Sequence, residues 1–348
     1  MLKSFTILFF FLLFSTNGFT QYYDSTQKLI IQYKAAIEFS DAAINSISAL
    51  NSLIKKENYR NKISSFNNPT SSDMGFNLQL EINTALKPLL DKAKHVNTNK
   101  FMDVVGSLVG NQSKGGLTKS LIPATSIFST LTSLVGNLTI NEKRITRNDL
   151  DSFILNIGKY FGQYEKLHRI NQQFDISIDK TDLRLQELQT DLKDYLLDLI
   201  IAYNNSLQRN ALKQKTTEEL LLKYLDETEV EKRINDQQET NEKQETRNAI
   251  YFPNDAIKTA KDITSTIQKI FAEYQKIYTA NYNDIKNILQ ETKQLGSNIN
   301  KQTIDNSLSE LQSLYNDSKN ADVLILRIST LTERLKTLVA TEKLKNNY

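Results

Sequence analysis

The sequence predicts an all-α protein: an elongated antiparallel helical bundle of long, coiled-coil-like helices that carries one uncharged helical hairpin. Three observations lead there. Glycine and proline are scarce, ten and four among 348 residues, so few positions break a helix. Apolar residues recur at three- and four-residue spacing almost throughout, which is the helical period. From Gln163 to Phe252 there is no glycine or proline at all, which leaves room for very long helices. No period of 20–50 residues recurs, so a repeat solenoid is disfavoured.

At the N-terminus, Met1-Leu-Lys3 precedes a run from Phe5 to Phe14 that is apolar except for Thr6, followed by a small-residue exit to Thr20. This is the pattern of a secretory signal peptide. The run is shorter than the roughly 20 apolar residues that span a bilayer. Cleavage is expected after Thr20, which makes 1–20 the signal and 21–348 a single elongated helical-bundle domain. The expected location is the periplasm, or the cell surface or surroundings, of a bacterium. The chain has no cysteine, hence no disulfide framework, but its length permits a sizeable core without one.

The first helix is expected to open at Asp24, with Gln27 three residues on as in a capping box, and to run to about Ile63. Ile30, Ile37 and Ile44 repeat every seven residues beside Tyr33, Ile47 and Ile54, which suggests a coiled-coil-like edge. Turn chemistry at Ser64 to Asp73, including Asn68-Pro69, ends it. A second helix is expected from about Phe76 through Val109, kinked at Pro88, then a turn at Asn111 to Gly116. A third covers roughly Pro123 to Leu138. Thr146 with Asp149 resembles an N-cap and opens the longest stretch, whose seam is Leu185, Leu188, Leu192, Tyr195, Leu199 and Ala202. The seam fails after Ile234, and 235–248 holds no apolar residue, so it reads as a polar tip or loop. Phe252-Pro253-Asn254 restarts a helix with Ile263, Ile267, Ile270, Tyr274, Ile277, Ile288 and Leu295 on its buried face. Gly296 to Asn298 breaks it. The last helix runs from Ile304 through Ile325, Ile328, Leu335 and Leu338.

Charge and motifs exclude several classes of activity. The net charge is +3, with both signs interspersed and no basic cluster, which argues against nucleic acid as a partner. Glu165 and His168 form one Glu-x-x-His unit, whereas a di-metal bundle site needs two units plus two more glutamates. His95 has no glutamate three residues before it. Asp175-x-Ser177-x-Asp179-x-Thr181 imitates the start of a calcium loop, but Lys180 stands at the glycine position and Gln186 at that of the bidentate glutamate. Glu187, Asp191, Asp194 and Asp198 form an acidic stripe, read as a solvated helix face. Gly110 to Gly116 lacks the terminal Gly-Lys-Ser/Thr of a phosphate loop. No nucleophile and base are paired, so no enzyme activity, metal, cofactor or small-molecule substrate is expected.

The segment from Phe101 to Ile140 is nearly uncharged. Past Asp103 its only ionisable residues are Lys114 and Lys119. One arm places Val104, Val105, Leu108 and Val109 on a face, with Gly106 and Gly110 in a Gly-x-x-x-Gly that permits close helix approach. The other arm places Ile127, Phe128, Leu131, Leu134, Val135 and Leu138 together, opposite Ser126, Ser129, Thr130, Ser133 and Asn137. These ten apolar residues are the candidate membrane or partner face. They are read first as buried inside the bundle, with insertion into a membrane as the alternative. In architecture the chain resembles the secreted α-helical pore-forming toxins of the cytolysin A and Bacillus tripartite enterotoxin type, which pair long bundle helices with a concealed hydrophobic hairpin. The resemblance implies a pore-forming component. The residues themselves favour an exported, non-enzymatic bundle that acts through a protein partner or self-association.

Overall fold

The computed structural model describes residues 25–93, 98–110, 124–141, 144–241, 249–319 and 322–343. Among them are twelve helices and no strand. In order they are α1 (Ser25–Ile54), α2 (Glu57–Phe66), α3 (Leu78–Lys92), α4 (Thr98–Gly110), α5 (Ala124–Asn141), α6 (Arg147–Tyr203), α7 (Arg209–Leu212), α8 (Thr217–Tyr224), α9 (Glu227–Asn241), α10 (Ala256–Thr292), α11 (Lys301–Lys319) and α12 (Asp322–Lys343). The all-α bundle with long helices is what the chain forms. α6 has 57 residues and α10 has 37, against an ordinary mean near 12. The expected signal peptide, the Asp24 cap, His95, the turn at 111–116 and the end of the polar tip (242–248) lie outside the described residues.

The chain divides into two compact units, one of Met1–Ile44, Asp191–Thr264 and Thr330–Tyr348, the other of Asn45–Thr190 and Ser265–Ser329. In the first, Tyr33 is fully buried. Its hydroxyl faces two carbonyl acceptors, Tyr251 O at 2.8 Å and Leu199 O at 3.2 Å. Its ring stands edge-on to Phe252, with centroids 5.5 Å apart. Phe39 meets Tyr195 in the same way, and Leu192, Leu196, Leu199 and Ile200 close the core around them. α8 opens with a complete capping box between Thr216 and Glu219, satisfying two backbone donors that the helix itself cannot.

In the second unit, Tyr59, Phe174, Tyr274 and Tyr278 form a continuous aromatic cluster with centroid separations of 4.4–5.7 Å. The loop between α2 and α3 is tied down at many points. Asn77 caps α3 by accepting from Leu80 N, and its amide donates to Thr70 O. Ser307 donates to Asp73 O, and Asn300 N donates to Gly75 O at 2.7 Å. Met74 and Phe76 are buried, with Phe76 against Tyr160 and Tyr164. Gly75 has φ +77°, and a Cβ there would lie 2.6 Å from Ile304 Cγ1. Only glycine fits both the backbone conformation and the space.

Several expected elements differ. The first helix does not reach Ile63: it ends at Ile54, and α2 restarts at Glu57. The Lys56 ammonium donates to Asp317 O at 3.2 Å, one of the last carbonyls of α11, where the helix dipole favours a cation. The α1 seam is also rotated. Tyr33, Ala36, Phe39, Ser40, Ala43, Ile47 and Leu50 are buried, whereas Ile37 and Ile44 are only half-buried. Ile30, Tyr33, Ile47 and Ile54 are buried as expected, and between them small residues, Ala36, Ser40 and Ala43, take the buried positions in place of Ile37 and Ile44. The expected second helix is two, α3 and α4, and the break begins at Ala93, one turn past Pro88. The last helix is likewise two, and its buried stripe is Leu324, Leu331 and Leu338. Of the expected positions, Ile304 and Leu338 are buried, Ile328 and Leu335 are half-buried and Ile325 is exposed, with Leu324 and Leu331 taking the buried places instead. The α6 seam from Leu185 to Ala202 is buried at all six positions, and α10 ends just before Gly296.

Candidate interaction site

α4 and α5 follow from local sequence. α5 holds no charge and no proline, and its hydroxyl side chains bond back onto their own helix. Ser129 and Thr130 donate to Ser126 O, and Thr132 donates to Phe128 O. These bonds satisfy the hydroxyls without a partner helix. Ser126, Ser129, Thr130, Ser133 and Asn137 face outward. Ile127, Leu131, Val135 and Leu138 are buried.

What covers the aliphatic face is the chain itself. α5 packs on α4, and α4 on α3. The Phe128 ring lies 5.2 Å from that of Phe161 in α6. It also sits over Gly158, where a Cβ would be 3.5 Å from the ring. Of the ten candidate residues, Val105, Ile127, Leu131, Val135 and Leu138 are buried, Phe128 and Leu134 half-buried, and Val104 is 44% exposed. The side chains of Leu108 and Val109 lie outside the described residues. At Gly106 a Cβ would meet Gln79 Nε2 at 3.5 Å, an ordinary contact, so the approach of α3 to α4 does not depend on that glycine. Among the described residues, no helix is long and apolar enough to cross a membrane.

An ion pair closes the base of this excursion. Lys92, the last residue of α3, places Nζ 2.7 Å from Asp149 Oδ1 in the first turn of α6. The other carboxylate oxygen, Oδ2, accepts from the Thr146 backbone N–H and hydroxyl, and Thr146 Oγ1 accepts from Asp149 N. The Lys92 bond first, then the Thr146 bonds, hold the Asp149 carboxyl down to about 2, and its place at a helix N-terminus has the same sense.

The other motifs fall as follows. Glu165 and His168 lie half-buried on α6, and among the described residues no group of three or more potential metal-ligating His, Cys, Asp or Glu comes together. Asp175 to Thr181 is helical within α6, which is not the turning backbone of a calcium loop. Burial raises the Asp175 carboxyl, opposed by the nearby Arg60 guanidinium. In the acidic stripe, Asp194 and Asp198 both accept from Arg209 of the same chain.

Two features escaped the sequence reading. The first turn of α12 exposes Val323, Ile325 and Leu326 on either side of the buried Leu324; of these only Ile325 belonged to the apolar pattern read from the sequence. A cleft of about 430 Å³ opens between α6 and α10 in the second unit, with Asn281 among its lining residues. No sequence motif marks it. Comparison with protein-family models, with curated proteins and with solved structures finds no match.

Proposed function

We propose that the chain is an exported, non-enzymatic helical-bundle protein that works through protein–protein contacts, with a partner or with itself, in the periplasm or outside a bacterial cell. Export is supported by the signal-peptide pattern of 1–20. The absence of a paired nucleophile and base from the sequence supports the non-enzymatic reading.

The observation that carries the choice of contact over membrane insertion is the covered hairpin. Ile127, Leu131, Val135 and Leu138 are buried within the chain, so protein already occupies the place a bilayer would take. Each such burial stabilises the closed form by about 1.5–3 kcal/mol. The outward face of α5 is neutral and hydroxyl-rich, which partitions poorly into hydrocarbon. The exposed turn of α12 offers apolar surface of the kind that protein contacts use.

Dye release from neutral and anionic liposomes, at neutral and acidic pH, tests this directly. No release is expected, and sedimentation velocity should show mass rising with concentration or on addition of a partner. Release by the purified chain would replace this reading with that of a pore-forming component, which the architecture resembles.

A further inference from the structure

We draw no further inference here: the strongest candidate, the apolar patch that Val323, Ile325 and Leu326 expose on the first turn of α12, carries nothing further because nothing in the structure shows what covers it.

Discussion

Lys92 and Asp149 stand 57 positions apart in sequence, yet Lys92 Nζ meets Asp149 Oδ1 at 2.7 Å. The pair joins the last turn of α3 to the first turn of α6, and everything between them belongs to the α4–α5 excursion. The nearly uncharged segment is therefore an insertion with a closed base rather than a free tail.

The sign of the pH dependence at this base is fixed by the lowered Asp149 carboxyl. A carboxyl whose folded pKa is depressed contributes stability above its unfolded value, near 4, and loses it as pH falls toward about 2. Thermal midpoints of wild type should therefore drop across that window more than those of Asp149→Asn. Parallel curves for the two proteins would show that the pair contributes nothing.

Thr146→Ala removes the hydroxyl that accepts from Asp149 N. Loss of an N-cap costs about 1 kcal/mol, and urea denaturation should register it. Because α6 enters the core soon afterwards, at Phe153 and Ile157, the loss should appear in the global transition.

Gly75→Ala should be among the most damaging single-methyl additions in the chain. The left-handed conformation alone costs a non-glycine residue roughly 1–2 kcal/mol, and the added Cβ would also meet Ile304 Cγ1 at 2.6 Å and Asn300 O at 3.0 Å. A loss of about 2 kcal/mol or more in denaturant unfolding is expected. A loss below about 0.5 kcal/mol would mean that the loop relaxes freely.

Alkaline titration reads the tyrosine core. Burial raises the phenols of Tyr33, Tyr59, Tyr164, Tyr195 and Tyr274 far above their ordinary value, and that of Tyr160 to about 12. The unfolded chain loses these protons near pH 10 and the folded chain keeps them, so stability falls as pH rises above about 10. Phenolate absorbance of these residues should therefore lag and then appear together with unfolding. Smooth titration of all fifteen tyrosines near pH 10, with the helices intact, would contradict the buried cluster.

Much of this fold was legible because long helices announce themselves by period and by the scarcity of breakers. The α6 seam and the break at Gly296 were readable, as was the turn at Ser64 to Asp73, although α2 carries on to Phe66. Two things were not. In α1, isoleucines at 30, 37 and 44 and small residues such as Ala36, Ser40 and Ala43 offer competing stripes. Hydrophobicity selects the first, of which Ile30 alone is buried, but close helix packing selected the second. The break at Lys55-Lys56 has no local breaker, because it is stabilised by a carbonyl of Asp317, 261 positions away. The hairpin's two faces were legible, but its cover, Phe161 and Gly158 of α6, required the tertiary structure.

The rotated α1 seam is itself testable. Ala43→Leu, at a fully buried position, should cost about 1–3 kcal/mol through overpacking. Ile37→Ala, at a half-buried one, should cost less than the 2–5 kcal/mol of a fully buried isoleucine. The reverse order would restore the isoleucine heptad as the core edge.

The most direct test of the covered hairpin uses the absence of native cysteine. Single cysteines at Leu131 and Val135, on the buried face, and at Thr130 and Ser133, on the exposed face, can be labelled with an environment-sensitive maleimide with and without liposomes. The account predicts fast labelling of Thr130→Cys and Ser133→Cys, slow labelling of Leu131→Cys and Val135→Cys, and no change when lipid is added. Rapid labelling of Leu131→Cys and Val135→Cys in water, or a lipid-induced blue shift at those two positions, would show that the aliphatic face is not held by the bundle.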